Sequence, residues 1–142
     1  MTGLARHAPS NAPAGRHVVC DLADARRTAE VVGAIRPEAV IHTQALSDVD
    51  RCEREPEAAR IQNVDATAHL IRALEQAGDP AGRGTRPALL VYVSTDYVFD
   101  GTKGAPYREE DEPRPLSVYG RLKLEAERLA RGYPRAVVVR PS

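Results

Sequence analysis

Two residues near the carboxyl end of the chain could exchange a proton with an alcohol or a carbonyl. Tyr119 and Lys123 are four positions apart, so in a helix their side chains lie on one face. A tyrosine with a pKa near 10 is a reluctant acid, and a nearby ammonium favours its ionised form, which suits acid–base chemistry. The alternative is a solvated helix face on which the two residues meet by chance.

The lysine is unusual for this chain. Of its 20 basic residues, only Lys103 and Lys123 are lysines. Arginine, which the chain uses everywhere else, cannot supply the same compact and strongly hydrated charge. The choice of lysine at position 123 therefore favours a specific role.

Hydroxyl side chains stand at the carboxyl end of the most apolar run of the sequence, residues 88–94. Ser94 and Thr95 would lie at the carboxyl end of a strand, where ligands bind in open α/β sheets. A hydroxyl there can bond a substrate oxygen that gains charge. Taken alone, these residues favour the simpler interpretation, in which the hydroxyl caps the loop backbone.

The elements that would position these residues form an alternating pattern. Short β-branched runs alternate with segments of helical periodicity, which predicts an α/β fold with a parallel sheet and flanking helices. Because residues 88–94 are apolar throughout, we expect a central strand buried on both faces. The predicted strands are 2–4, 17–20, 39–42, 88–94 and 136–139, the predicted helices are 25–35, 57–77 and 117–131, and residues 78–87 and 95–115 are predicted loops.

Composition excludes several classes of protein. With 142 residues the chain is long enough for one domain and too short for two. The 20 basic and 20 acidic residues cancel, so we expect no nucleic-acid partner. No apolar run approaches the roughly 20 residues of a membrane span, which favours a cytoplasmic protein without membrane association. Cys20 and Cys52 lack the spacing of a metal site or a disulfide framework.

Several strings of the sequence resemble the dTDP-4-dehydrorhamnose reductases, a branch of the extended short-chain dehydrogenases/reductases. The resemblance extends over residues 17–142 and implies a Rossmann-like sheet. The strings that carry it are Ser-Thr-Asp-Tyr-Val-Phe-Asp-Gly at 94–101, the segments 106–113 and 115–125, and the earlier segments 41–42, 45–53 and 63–66.

The resemblance implies a catalytic triad. Tyr119 would protonate a sugar carbonyl oxygen, and Thr95 would bond the same oxygen. Lys123 would hold the nicotinamide ribose and lower the pKa of the tyrosine. Tyr97 and Phe99 would face the substrate.

The resemblance also implies a set of cofactor contacts and no metal. Tyr119, Lys123 and Ser94 would lie at the nicotinamide end. Asp21 and Leu22 would contact the adenine, and Ala45 and Ser47 would pass under the cofactor. The segment 140–142 matches the start of a loop beside the nicotinamide.

The sequence departs from this family in two ways. Thr43 and Gln44 stand where the family commonly has alanines. No glycine-rich phosphate-binding turn occurs within the 142 residues. We therefore expect residues 1–142 to form a partial NAD(P)-binding domain, with the first strand, the glycine turn and the carboxyl-terminal substrate region absent, and we expect this chain alone to be inactive.

Cofactor and function stay open between stated alternatives. The cofactor is NADP or NAD, and Arg6, which could meet a 2′-phosphate, is the one hint toward NADP. A 4-keto nucleotide sugar is the expected substrate, and a homodimer is an option for the intact protein. The alternatives are a nucleotide-sugar epimerase or dehydratase, a regulatory subunit resembling the methionine adenosyltransferase β subunit, and a non-functional remnant.

Overall fold

A computed structural model describes residues 1–6, 16–78 and 86–142. All strand pairs are parallel, as predicted: β1 (Thr2–Ala5) with β2 (Arg16–Val19), and β3 (Ala39–His42), β4 (Leu89–Val93) and β5 (Ala136–Val139) in the order β3-β4-β5. The helices are α1 (Ala25–Ile35), α2 (Val49–Arg54), α3 (Pro56–Arg60), α4 (Ala66–Gly78) and α5 (Val118–Gly132). Most of the predicted loop 78–87, with Gly82 and Gly84, lies outside the described residues. Among the described helices, none combines the length and the apolar character needed to cross a membrane.

Side-chain caps fix the starts of helices α1 and α5. The Asp24 carboxylate accepts a hydrogen bond from the backbone N–H of Arg27 at 2.9 Å, and the Ser117 hydroxyl accepts from that of Gly120 at 3.0 Å. Such caps satisfy backbone donors that a helix leaves unpaired. Asp48 caps the short helix α2 in the same way, and that helix was not predicted.

The segment between α3 and α4 is not a regular helix. Residues Ile61–Asp65 form a π-helical turn, and its wider winding shifts the following side chains around the axis by about 100°. The prediction of one continuous helix over 57–77 is therefore wrong: before the turn Ile61 is 40% exposed, whereas Leu70 and Leu74 beyond the turn are buried.

Strand β4 is central in its sheet, as predicted, but only one face of that sheet is covered. Leu90 and Tyr92 point into the core formed with α1, α4 and α5. The opposite face stays accessible, with Ile41 69% and Val137 49% exposed. The expectation of burial on both faces is wrong, because the described helices all pack on one side. The side chains of β4 on the other face, Leu89, Val91 and Val93, are only half-buried.

Candidate active site

Tyr119 lies in the first turn of α5, which is pressed against the loop that follows β4. A Cβ at Gly120 would lie 2.3 Å from the carbonyl oxygen of Tyr97. A glycine is therefore required for this approach. The rings of Tyr97 and Tyr119 meet edge to face, with centroids 5.8 Å apart at 72°.

Thr95 links the end of β4 to Tyr119. Its hydroxyl accepts from the backbone N–H of Tyr97 at 3.2 Å and donates to the Asp96 carboxylate at 3.2 Å. Burial raises the pKa of Tyr119, and a hydrogen bond with the Thr95 side chain acts in the opposite direction. Tyr119 therefore carries its proton at neutral pH. The capping interpretation of Thr95 is confirmed, and the same hydroxyl lies on the side of β4 where Tyr119 is placed.

Lys123 is buried at the carboxyl end of β4, with 2% of its surface exposed. Its Nζ donates to the carbonyl of Val93 at 2.7 Å and lies 4.3 Å from the ring centroid of Tyr92. Burial lowers the pKa of Lys123 to about 8, although the nearby Glu127 carboxylate offsets part of this lowering. Lys123 is not among the main groups that shift the pKa of Tyr119. The expected lowering of the tyrosine pKa by Lys123 stays a prediction.

A buried histidine adjoins this lysine and was not predicted as a site residue. His42 Nε2 lies 3.0 Å from the Thr67 hydroxyl, which donates to the Asn63 carbonyl at 2.9 Å. Burial and the charge of Lys123 lower the pKa of His42 to about 4, so the ring is neutral. The sequence signal that could have identified His42 is a polar residue at the end of an otherwise aliphatic strand, 39–42.

The turn predicted to pass under the cofactor is held beside Tyr119. The Asn63 side chain accepts from the backbone N–H of Leu46 at 2.7 Å and donates to its carbonyl at 3.1 Å. Ala45 packs on the apolar cluster that contains Tyr119, and Ser47 is exposed. Asn63 therefore fixes the turn, a role that sequence reasoning missed.

The predicted adenine contacts lie in the turn that follows β2. The Asp21 carboxylate accepts from the backbone N–H of Ala23 at 3.0 Å and is 4.0 Å from the Arg6 guanidinium. Leu22 is buried, and its carbonyl accepts from the ring of His69 at 3.0 Å. The pairing with Asp21 gives Arg6 a use other than a cofactor phosphate.

Ser94 and the predicted substrate residues surround the end of β4. The Ser94 hydroxyl is buried and makes no hydrogen bond of good geometry, although it is close enough to Glu127 to lower the pKa of that carboxyl. Tyr97 is 52% exposed. The ring of Phe99 stacks on Tyr107, with centroids 4.1 Å apart at 9°.

Comparison with known proteins gives a family match over nearly the whole chain. The model of the RmlD substrate binding domain matches residues 2–142. The β subunit of methionine adenosyltransferase 2 from Bos taurus is 39% identical over 108 residues, which are 76% of this chain and 29% of that protein. The dTDP-4-dehydrorhamnose reductase of Salmonella typhimurium is 34% identical over 123 residues, or 86% of this chain and 38% of that enzyme. The chain thus spans about a third of these relatives.

A solved structure supports the same relationship. The dTDP-4-dehydrorhamnose reductase of Bacillus anthracis, in complex with NADP, aligns with a TM-score of 0.75 and 31% identity. The alignment covers 85% of this chain and 40% of that one. The predicted Rossmann-like α/β fold and the resemblance to these reductases are confirmed.

Proposed function

The chain belongs to the RmlD substrate binding domain family, and we propose that it supplies the proton-transfer part of an NAD(P)-dependent reductase that acts on a 4-keto nucleotide sugar. The observation that carries this proposal is the placement of Tyr119, in the first turn of α5, against Tyr97 and beside Thr95 at the carboxyl end of β4. That end of a parallel sheet is where such folds bind ligands.

Reduction of a carbonyl requires a hydride at carbon and a proton at oxygen. The nicotinamide would supply the hydride. Tyr119 would donate its phenolic proton to the oxygen, and the Thr95 hydroxyl would hydrogen-bond the same oxygen as its charge develops. The raised pKa of Tyr119 keeps the proton on the phenol until the oxygen becomes basic enough to take it.

The residues present fit one end of a dinucleotide. The Lys123 ammonium has three donors, and Val93 uses one of them. The unpaired hydroxyl of Ser94 lies at the same end of β4. These groups would hold the ribose and nicotinamide. The pyrophosphate has no matching glycine-rich turn in the 142 residues, which supports the proposal that this chain alone does not turn over.

The choice between NADP and NAD stays a proposal. The Bacillus anthracis relative binds NADP, and this supports NADP here. Arg6 adds little support for NADP, because its guanidinium is 4.0 Å from the Asp21 carboxylate.

Phe99 gives a direct test, because it is the one phenylalanine of the chain. A carbon-13 label on phenylalanine reports its ring as one NMR signal. We expect dTDP-glucose to shift that signal saturably, and Tyr97→Ala to weaken the binding. Tyr119→Phe should leave the binding intact, since it removes only the proton donor. The absence of any shift at millimolar dTDP-glucose would contradict the proposal.

A regulatory role is the second candidate. It is favoured by the 39% identity to the β subunit of methionine adenosyltransferase 2. Size-exclusion chromatography of the chain with a methionine adenosyltransferase catalytic subunit separates the two candidates. Co-elution without binding of dTDP-glucose supports regulation, and binding without co-elution supports the reductase. The epimerase or dehydratase alternative and the homodimer stay predictions.

A further inference from the structure

A buried ion pair adjoins the proposed proton-transfer residues and has no part in the function just described. Glu127 lies one turn after Lys123 on α5 and is 1% exposed. The Arg140 guanidinium, at the end of β5, donates to both Glu127 carboxylate oxygens at 2.8 and 2.7 Å. Arg131, on the surface of α5, is 3.9 Å away. The bidentate geometry fixes the position of Arg140 relative to α5.

Arg140 also reaches the loop that carries the predicted substrate residues. Its guanidinium carbon lies 5.1 Å from the ring centroid of Phe99, within cation–π range. Phe99 stacks on Tyr107, whose hydroxyl donates to the Asp100 carboxylate at 2.7 Å. A continuous set of contacts therefore runs from α5 to this loop.

Glu127 acts on Lys123 through charge. The groups around the ammonium are Glu127 on α5, Tyr92 and the Val93 carbonyl on β4, and His42 on β3. Among the charged side chains of this set, only Glu127 is negative, and it opposes the loss of charge that burial imposes on Lys123. His42 is neutral and adds no charge.

Stability alone is a poor explanation for this pair. Burying two charges carries a large desolvation penalty, and apolar residues of similar volume often serve stability equally well. A buried pair does impose one geometry on the groups it joins. Glu127 and Arg140 join the helix of Tyr119 and Lys123 to the loop of Phe99.

We propose that Glu127 is a positioning residue that, together with Arg140, holds the charged Lys123 and the Phe99–Tyr107 stack in a single arrangement. The Glu127 carboxylate thereby fixes both the helix that carries Tyr119 and Lys123 and the loop that carries Phe99. The role of Glu127 in catalysis rests on the proposed reductase function. The physical link that Glu127 and Arg140 make between α5 and the Phe99 loop does not.

The chain is suited to a direct test, because it has two lysines and one phenylalanine. Carbon-13 labels on lysine and phenylalanine give two lysine signals, assigned with Lys103→Arg, and one ring signal. In the unaltered chain the Lys123 signal should titrate near pH 8. In Glu127→Gln, its midpoint should fall below that value and the Phe99 signal should move.

Two further variants separate positioning from general damage. Arg140→Lys keeps the charge pair but loses the bidentate contact and the planar stack, so it should move the Phe99 signal and leave the Lys123 midpoint in place. This variant gives a third lysine signal, which is identified by its absence from the spectrum of the unaltered chain. Glu125→Gln is the matched control, because Glu125 lies on the same helix and pairs with Arg60 at the surface. It should change neither signal.

The outcomes decide the proposal independently of the reductase function. If Glu127→Gln leaves either signal unchanged, or if Glu125→Gln has an equal effect, Glu127 is not the positioning residue. If Glu127→Gln does not fold, an unmoved Phe99 signal in the folded Arg140→Lys variant overturns the proposal. Titration with dTDP-glucose is the separate arm: failure to bind removes the reductase function and leaves the positioning result standing.

Discussion

The two faces of the β3-β4-β5 sheet are both rich in aliphatic residues and differ in what covers them. The covered face places His42 and Tyr92 side by side under the helices, with ring centroids 5.6 Å apart. The bare face carries Ile41, Val137 and Val139, which are 43–69% exposed. The polar side chains of these strands are therefore on the buried side and the purely aliphatic ones face outward.

The polar side chains of the strands lie where the helices can supply partners for them. A polar group can be buried only where a partner satisfies it, and the helices supply such partners. Thr67 on α4 meets His42, and Lys123 on α5 meets the ring of Tyr92. The bare face has no such partners among the described residues and carries no polar side chain that would need them.

The largest difference between the faces should appear in neighbouring leucines of β4. Leu90 is fully buried, so Leu90→Ala should lower the free energy of unfolding by about 3 kcal/mol. Leu89→Ala, on the other face, should cost about 1 kcal/mol. Urea denaturation measures both. Equal losses would show that the bare face is covered in solution.

The covered side should be nearly as sensitive where α5 meets the loop. Gly120→Ala forces a Cβ against the Tyr97 carbonyl and should cost about 2–3 kcal/mol. Gly132→Ala is the control, because no atom lies within 4 Å of its Cβ position. Circular dichroism during thermal unfolding reports the loss. A Gly120→Ala variant as stable as the unaltered protein would rule out this close approach.

The buried histidine should make the covered side sensitive to acid. The pKa of His42 is about 4 when folded against an ordinary 6.5, so between these values the unfolded chain binds a proton that the folded chain excludes. Stability should therefore fall as the pH drops through this window, by about 3 kcal/mol in total. His42→Gln should remove this part of the decline in urea titrations at several pH values. If His42→Gln leaves the pH dependence of stability unchanged, the loss of stability in acid comes from the carboxylates and not from His42.

Charges on the bare face should have the smallest effect on stability. Ile41→Lys and Val137→Lys should change the free energy of unfolding by about 0.5 kcal/mol or less, since both side chains already meet water. Light scattering should show less self-association, because the exposed apolar surface shrinks. Leu129→Lys, on α5, is the control and should not alter scattering. A severe loss of stability in Ile41→Lys would contradict the exposure of this face.

The limits of sequence reasoning follow from the range of the interactions. Helix α1 and strands β3 and β5 have the predicted bounds, because periodicity and capping are local. The contact of Tyr119 with Thr95 could be anticipated from the resemblance of the strings that contain them. The π-helical turn could not, since its winding has no distinct pattern in the apolar residues around Ile61.

The sequence by itself determined the alternation of strands and helices and the residue types available for proton transfer. The tertiary structure decided which face of the sheet is covered and which partners the buried groups find. Lys123 meets the carbonyl of Val93, which is 30 positions away, and Glu127 meets Arg140 across 13. Such partners are selected by the packing of helices on strands, because burial makes an unpaired charge too costly to leave alone.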